Sequence, residues 1–279
     1  MAGIAWVNGR LVAPEEPAVS VLDPGFMYGE GLFETMRAYG GRVFRLNQHL
    51  ARMQEAAAEV GLQEQAGRLR SQHVTEALSA SGLADASVRV TVTRGALVVL
   101  VRPLSLPRPE QYERGCRAVS MPAAITRESV LRRVKSLNYL DKLLAQREAR
   151  RRGADEAILV DPDGCVVEGA MRNVFALIAG KLLTPPLSRG LLPGITRAAV
   201  LEVAEGRGVP CEEQDIALSE LQQADECFLT SSLAEILPVA SVDGKRMGAG
   251  ASGPVTQRLT SGYRELVADE LSAPPKRSG

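Results

Sequence analysis

The sequence has few of the residues that point to a disulfide-linked or metal-binding protein. Its 279 residues include four cysteines and two histidines. The cysteines, at positions 116, 165, 211 and 227, are widely spaced and form no CxxC pair. We therefore predict reduced thiols, with neither a disulfide framework nor a zinc site. His49 and His73 fall on predicted amphipathic helices, so we expect surface or helix-capping roles for them, and hydrolase chemistry and metal binding have little support.

Net charge and long apolar runs are also lacking. The 33 basic residues balance 33 acidic ones, which leaves no field to recruit nucleic acid or an anionic membrane. No apolar run approaches the ~20 residues that cross a membrane. The N-terminal stretch MAGIAWVNGRLV has no basic start and reaches Asn8 too soon for a signal peptide. With 45% hydrophobic and 24% charged residues, the composition favours a soluble globular protein, which we expect in the cytoplasm.

The first half of the chain has the pattern of an α+β domain. Asn8–Gly9 predicts a β-hairpin, and Gly40–Gly41 predicts a second one. Between them, alternation places Phe33, Thr35 and Arg37 on one face of a strand. The remaining periodicity predicts helices at about 47–60 and 68–81 and strands at 87–94 and 96–104. A proline-rich linker follows, and we predict an N-terminal domain at 1–115 (linker about 103–115) and a larger domain at 116–279.

The second half alternates helices and strands. A helix is predicted at 138–152, capped by Asn138, with Leu140, Leu143 and Leu144 facing inward. The loop LPGIT leads into a helix that ends near residue 208. We predict strands at 117–123, at 157–160, within 165–184 and within 226–244, then a C-terminal helix at 253–271 and a frayed tail at 274–279.

Lys135 is the strongest candidate for chemistry. It lies in an apolar setting, with Val134 before it and Leu137 after it. Burial disfavours the ammonium form, and a neutral amine is a nucleophile that forms Schiff bases. A surface lysine is the more common outcome for this residue type. The other candidate residues decide between these two readings.

Three further features match what pyridoxal phosphate (PLP) requires if Lys135 binds it. The segment PGIT, at 193–196, brings a flexible glycine to a helix N-terminus, where unpaired N–H groups hold a phosphate. Arg52 supplies a candidate cation, although an exposed arginine would look the same. Glu168 ends the apolar strand CVVEG, where a buried carboxylate needs a cationic partner such as a protonated pyridine nitrogen.

Together these features resemble the class IV (fold type IV) PLP-dependent enzymes, namely branched-chain and D-amino-acid aminotransferases and 4-amino-4-deoxychorismate lyases. The resemblance runs from about residue 4 to 265. Its motifs are YGEGLFETMR (28–37), FRLNQHLARM (44–53), VKSLNYL (134–140), VVEGAMRNVF (166–175), LPGITR (192–197) and TSSLAEILPV (230–239).

The resemblance implies a role for each matching residue. Lys135 would form the Schiff base, Glu168 would bind the pyridinium, and Tyr139 would bind the cofactor's phenolic oxygen. The phosphate would be held by Arg52, Ile195, Thr196 and Ser231 or Ser232. The substrate side of the pocket would include Tyr28, Phe33, Thr35, Arg37 and Leu233.

The family fold is a small N-terminal α+β domain and a larger domain with a barrel-like sheet, with PLP between them, and its members are typically homodimers. An amino acid or amine and a 2-oxo acid would be the substrates. Family members either transaminate or eliminate a β-group to release pyruvate and 4-aminobenzoate. Thr35 and Leu233 resemble the lyases, whereas LPGITR and NYL resemble branched-chain transaminases. We predict an aminotransferase, with the lyase as the alternative.

One segment departs from the family pattern. After TRG, at 93–95, the chain enters ALVVLVRPL almost at once, so the loop that carries carboxylate-binding groups in relatives is largely deleted. Arg172 stands where the family has small polar residues, and we hypothesise that it replaces the lost charge. A homologue without catalysis, acting as a binding protein, is a further alternative. The joint presence of Lys135, Glu168 and Arg52 argues against it.

Overall fold

A computed structural model describes residues 3–13, 15–16, 19–124, 126, 128–248, 250 and 252–272. The chain divides into two compact units. The first is Met1–Leu106 with Arg133–Asn138, and the second is Pro107–Arg132 with Tyr139–Gly279. Lys135 therefore belongs to the first unit. The predicted domains at 1–115 and 116–279 stay a prediction, and the predicted tail at 274–279 lies outside the described residues.

The first unit contains an antiparallel sheet with the strand order β2-β1-β6-β5-β3-β4. Its strands are β1 (Ile4–Val7), β2 (Arg10–Val12), β3 (Gly31–Tyr39), β4 (Arg42–Val43), β5 (Ala86–Thr93) and β6 (Leu97–Pro103). Asn8 and Gly9 join β1 to β2 with φ values of 47° and 92°, a left-handed turn that this residue pair tolerates. The predicted hairpins at Asn8–Gly9 and Gly40–Gly41 are confirmed.

The first unit also contains helices. They are α1 (Pro24–Tyr28), α2 (Leu46–Glu59), α3 (Gln63–Arg68) and α4 (Ser71–Ser81). The helices α2 and α4 pack against the sheet, where Leu32 and Met36 of β3 and Val88 of β5 are completely or almost completely buried. The opposite face carries Thr35 and Arg37, which are only half-buried. The alternation predicted for β3 is confirmed. The helix predicted at 68–81 corresponds to α4, which begins three residues later, and the short helix α3 before it was not predicted.

The second unit contains a nine-stranded mixed sheet with the path β12-β11-β10-β13-β14-β7-β8-β9, and β15 pairs with β14. The edge strand β9 also contacts β10 near the other edge, so the sheet curls into a half-barrel. Its strands are β7 (Cys116–Pro122), β8 (Glu156–Val160), β9 (Val166–Gly169), β10 (Asn173–Ile178), β11 (Lys181–Thr184), β12 (Cys211–Glu213), β13 (Glu226–Ser231), β14 (Glu235–Val242) and β15 (Lys245–Arg246).

The second unit also contains helices, although residue 133 at the end of one of them belongs to the first unit. They are α5 (Pro109–Arg114), α6 (Val130–Arg133), α7 (Leu140–Arg151), α8 (Ile195–Gly206), α9 (Leu218–Leu221) and α10 (Pro254–Ser272), with a 3₁₀ turn at Leu187–Arg189. The helix α7 contacts β7 and β8, and α8 and α10 contact β13. All four cysteines are free. Within the described ranges, no helix has the length and apolar composition needed to span a membrane.

The orientation predicted for α7 is wrong. Leu140, Leu143 and Leu144 are exposed, and the inward face carries Lys142, Ala145, Gln146 and Ala149. Small alanine side chains let the helix approach β7 and β8 closely, which leaves the bulkier leucines outside. Asn138 is not the helix cap either. Its amide donates to the Gly29 carbonyl oxygen, and Tyr139 occupies the N-cap position, where no side-chain capping bond forms among the described residues.

Candidate active site

Backbone hydrogen bonds fix the Lys135 segment against the start of β3. The Phe33 amide donates to the Lys135 carbonyl at 2.8 Å, and the Leu137 amide donates to the Gly31 carbonyl at 2.8 Å. Ser136 forms a bridge with Leu32 between these two bonds. The side chain of Lys135 is half-buried, and its Nζ lies 4.5 Å from the centre of the Phe33 ring. A lysine held in this way is positioned by main-chain contacts and not by a flexible loop.

A second cation, Arg89, shares this aromatic ring. Its guanidinium carbon lies 3.7 Å from the centre of the Phe33 ring. Arg89 is directly opposite Thr35 in the β3–β5 ladder, so both side chains project from the face that carries Phe33. Sequence reasoning missed this residue. The alternation in SVRVTVTR marks it as outward-facing, but only the strand register brings it beside Phe33 and Lys135.

The buried face of β3 carries a charged cluster. Glu34 is 1% exposed and receives hydrogen bonds from two residues of α2. Arg52 donates from Nε to Oε1 at 2.8 Å and from Nη2 to Oε2 at 2.6 Å. His49 Nδ1 lies 2.7 Å from Oε2. His49 is itself 1% exposed, so the surface position expected for it is wrong, whereas His73 does help to cap α4 through a bond from the Arg70 amide.

The neighbours of Glu34 keep its carboxylate ionised and fix the direction of Arg52. Burial alone would raise the pKa of Glu34, but the Arg52 charge and the bonds from His49 and Arg52 lower that pKa from 4.5 to about 2. Burial lowers the pKa of His49, and the attraction of Glu34 only partly offsets this effect. At neutral pH, neutral His49 therefore donates to an ionised Glu34. The guanidinium of Arg52 is fixed by a bidentate pair, which restricts its direction.

In the second unit, Glu168 is the second-last residue of β9, and its side chain contacts α7. Its carboxylate is 3% exposed and accepts from Lys142 Nζ at 2.7 Å. Its other oxygen lies 3.4 Å from the Leu192 amide nitrogen, a long hydrogen bond. Lys142 Nζ also lies 5.4 Å from the centre of the Tyr139 ring. The expectation that a buried Glu168 needs a cationic partner is met by Lys142, a residue that sequence reasoning did not select.

The N-terminus of α8 has the features of an anion site. No side chain caps it, so its first N–H groups, including those of Ile195 and Thr196, remain available to an anion. A Cβ atom at Gly194 would collide with the side-chain oxygen of Asn173, whose amide donates to the Leu192 carbonyl at 3.0 Å. Opposite Asn173 on β13, the buried Thr230 hydroxyl has no hydrogen-bond partner among the described residues.

These residues fit PLP by their chemistry. A fixed lysine suits its aldehyde carbon, a buried carboxylate suits its ring nitrogen, and an uncapped helix terminus suits its phosphate. Arg52 is the matching cation in the first unit. The structure brings Phe33, Arg89 and Lys135 together in the first unit and Tyr139, Lys142 and Glu168 together in the second.

The remaining candidates differ in their surroundings. Tyr28 is 70% exposed at the end of α1. Thr35 and Arg37 lie on the open face of β3, and the Arg37 guanidinium stacks on Tyr39. Ser231, Ser232 and Leu233 are half-buried at the end of β13. Their substrate and phosphate roles stay predictions.

Arg172 already has a partner in the described structure. It forms an ion pair with Glu156 of β8, a residue with 0% exposure. Burial lowers the pKa of the Arg172 guanidinium. The ion pair with Glu156 neutralises the charge of Arg172 within the second unit. The substrate role of Arg172 stays a hypothesis.

Comparison with known proteins places these observations in a family. The model of the family described as amino-transferase class IV matches residues 31–242. A putative branched-chain-amino-acid aminotransferase of Methanocaldococcus jannaschii is 35% identical over 94% of this chain and 95% of its own length. D-alanine aminotransferase of Bacillus licheniformis is 35% identical over 95% of this chain and 97% of its own length.

Solved structures agree with the fold. The branched-chain aminotransferase of the archaeon Thermoproteus uzoniensis, solved with norvaline, has a TM-score of 0.83 at 33% identity and covers 96% of this chain and 95% of its own chain. The fold prediction of a type IV aminotransferase is confirmed, and the lyase alternative is not favoured. The chain belongs to the class IV amino-transferase family.

Proposed function

We propose that this protein is a PLP-dependent transaminase that moves the amino group of an amino acid to a 2-oxo acid. The observation that carries the proposal is the fixed Lys135, held by main-chain bonds on β3 with Arg89 on the same aromatic ring. The names of the relatives support an amino-acid substrate of the branched-chain or D-alanine type.

Bound PLP would supply an electron sink for the bonds at the substrate's α-carbon. Lys135 Nζ would hold the cofactor covalently and, once displaced, would remove and return the α-proton. Glu168 would accept a hydrogen bond from the protonated ring nitrogen and keep that proton in place. Tyr139 would donate to the phenolic oxygen. Arg52, Ile195, Thr196 and Ser231 or Ser232 would hold the phosphate.

The substrate carboxylate needs a cation, because the usual loop after Gly95 is short. We propose that Arg89 supplies it. Its guanidinium and Lys135 Nζ both lie over the Phe33 ring, so a carboxylate bound by Arg89 would be close to the reactive amine. Arg172 is the weaker candidate, because Glu156 already neutralises it. Arg89→Leu is expected to raise the KM for the amino acid far more than Arg172→Leu does.

The test is a single-turnover experiment on the PLP-loaded protein. We expect one of L-leucine, L-valine or D-alanine to convert the absorbance of the lysine-bound cofactor into that of pyridoxamine phosphate, and 2-oxoglutarate to reverse the change. Lys135→Ala should lower the rate by more than about 10²–10⁴-fold. The matched control is Lys181→Ala, because Lys181 forms an exposed pair with Glu212. Absence of conversion with every amino acid would reject the proposal.

We further propose a homodimer in the cytoplasm. The apolar side chains of Leu140, Leu143 and Leu144 on α7 and of Val21, Leu22 and Phe26 before and within α1 are exposed, and a second copy of the chain would cover them. Light scattering should give twice the chain mass. Leu140→Glu combined with Leu144→Glu should give the mass of a single chain, and an unchanged mass would place the contact elsewhere.

A further inference from the structure

The inward face of α7 is polar where a core helix is normally apolar. Lys142 is 8% exposed and Gln146 is 6% exposed, whereas the leucines of the same helix lie outside. A buried lysine is costly unless its charge is paired. Lys142 Nζ meets that condition by donating to Glu168 Oε1 at 2.7 Å. The helix therefore presents a fixed positive charge to the carboxylate that the proposed function assigns to the cofactor's ring nitrogen.

The charge state of Lys142 follows from its neighbours. Burial lowers the pKa of its ammonium group, but Glu168, Tyr139 and Asp141 together raise it above the ordinary value. Lys142 is thus a cation at neutral pH. Glu168 has this lysine as its charged partner, and the Leu192 amide makes a longer contact of 3.4 Å to the second oxygen.

Lys142 also contacts the second cofactor residue of this unit. Its Nζ lies 5.4 Å from the centre of the Tyr139 ring, within the range of a cation–π contact. The proposed function assigns Tyr139 to the phenolic oxygen and Glu168 to the ring nitrogen. A single side chain of α7 therefore touches the residues assigned to two polar groups of the ring.

We propose that Lys142 is a positioning residue that neutralises Glu168 in the cofactor-free protein and competes with the ring-nitrogen cation for that carboxylate when PLP binds. This inference rests on the proposed function. Two cations that share one carboxylate repel each other, so Lys142 makes the ring nitrogen less basic and weakens the hold on the ring. It also protects the apoprotein from an unpaired buried charge.

The proposal is tested by binding, with two probes. One is PLP, and the other is its carbon analogue, in which CH replaces the ring nitrogen. The measured quantity is the ratio of the Kd of the analogue to the Kd of PLP. In Lys142→Met this ratio should rise about tenfold, equivalent to ~1.4 kcal/mol, because the ring nitrogen no longer shares Glu168. Lys142→Arg keeps the charge and should keep the wild-type ratio.

Two further variants test whether the charge of Lys142 causes the change in the Kd ratio. Lys142→Met combined with Glu168→Gln removes both charges, so it should fold well and show a ratio below that of the wild type. If Lys142→Met fails to fold, Lys142→Gln removes the charge, keeps a donor and should show the same rise. In addition, the absorbance of bound PLP in Lys142→Met should titrate at higher pH than in the wild type, a shift that a purely structural lysine would not cause.

The outcomes separate the inference from the proposed function. Binding of PLP to the wild type with an unchanged ratio and an unchanged titration in Lys142→Met would overturn the role of Lys142 and leave the transaminase proposal standing. A wild-type protein that binds neither probe would overturn both. A raised ratio in both Lys142→Met and Lys142→Arg would also overturn the proposal, because the charge would then not be the cause.

Discussion

Each unit buries a carboxylate among the candidate site residues, Glu34 in the first and Glu168 in the second, and the two differ in the number of hydrogen bonds that they accept. Glu34 is 1% exposed and accepts three hydrogen bonds from His49 and Arg52. Glu168 is 3% exposed and accepts one short bond from Lys142 and one long contact from the Leu192 amide. An ionised carboxylate can accept about four hydrogen bonds, so Glu34 is nearly saturated and Glu168 is not.

This difference separates a structural acid from an acid with remaining capacity. Glu34 uses its charge to fix Arg52, so its effect on chemistry is indirect. Glu168 keeps part of its accepting capacity, which suits a residue that receives a second cation. Burial alone would not distinguish them, because both lie below 4% exposure. The number of hydrogen-bond donors around each carboxylate does distinguish them.

Removing the charge of the saturated carboxylate should have the largest effect on stability. Glu34→Gln leaves Arg52 with a neutral partner inside the protein, and we expect a loss of about 3–5 kcal/mol in the free energy of unfolding. The matched control is Glu30→Gln, because the Glu30–Arg94 pair is largely exposed and should contribute less than about 1 kcal/mol. Urea unfolding of the apoprotein measures both. Equal losses in the two variants would contradict the structural role of Glu34.

Sequence patterns predicted which residues share the open face of β3, but they did not predict the ion pairs on its buried face. Alternation correctly placed Thr35 and Arg37 on one face of the strand, and the structure shows both side chains half-buried. The same alternation puts Glu34 among buried apolar residues, where an acid needs a partner. For Glu168 the sequence predicted such a partner, whereas for Glu34 it predicted none. His49 and Arg52, three residues apart on α2, are spaced to reach one carboxylate, but their direction relative to β3 depends on packing that the sequence does not encode locally.

The error at α7 has a related cause. Helical periodicity identifies which residues share a face, but it does not say which face meets the core. The positions of the leucines predicted the wrong inward face for α7, because Ala145 and Ala149 allow this helix to approach the sheet closely. The same error left Lys142 out of the predicted inward face. Arg89 was missed for a different reason, because its neighbours on β3 are set by strand register over more than fifty residues of chain.

Measurements of cofactor affinity should distinguish the two carboxylates. Glu34 would act through Arg52 on the phosphate of PLP, whereas Glu168 would act on its ring. Arg52→Lys loses the bidentate pair with Glu34 and hence the fixed direction of its charge. We expect PLP to bind about 10–100-fold more weakly, equivalent to about 1.5–3 kcal/mol, and pyridoxal, which lacks the phosphate, to bind as before. Glu168→Gln should weaken both compounds by a similar factor.

Fluorescence titration with PLP and pyridoxal measures these affinities. Arg133→Lys is the control for the arginine substitution, because Arg133 pairs with Glu59 at the surface. Its affinity for both compounds should match the wild type. If Arg52→Lys weakened pyridoxal and PLP equally, Arg52 would act on the fold of the site and not on the phosphate.

The smallest expected effect is the pH dependence contributed by His49. The pKa of His49 is lowered from 6.5 by burial, with Arg52 and Lys135 adding to the effect and Glu34 opposing it. The unfolded chain therefore binds a proton more readily, so this contribution to stability is present above about pH 6.5 and is lost as the pH falls through the folded pKa. The contribution of Glu34 is lost only between 4.5 and about 2. The two steps occur in different pH windows.

His49→Gln isolates the first step. Glutamine can still donate to Glu34 but does not titrate, so the variant should lose less stability than the wild type between pH 7 and 5. The difference in slope is at most ~1.4 kcal/mol per pH unit, the value for one proton. Urea midpoints at several pH values measure it. Parallel curves for the two proteins would mean that His49 has the same pKa in the folded and unfolded chain, which would contradict the proposed pH dependence.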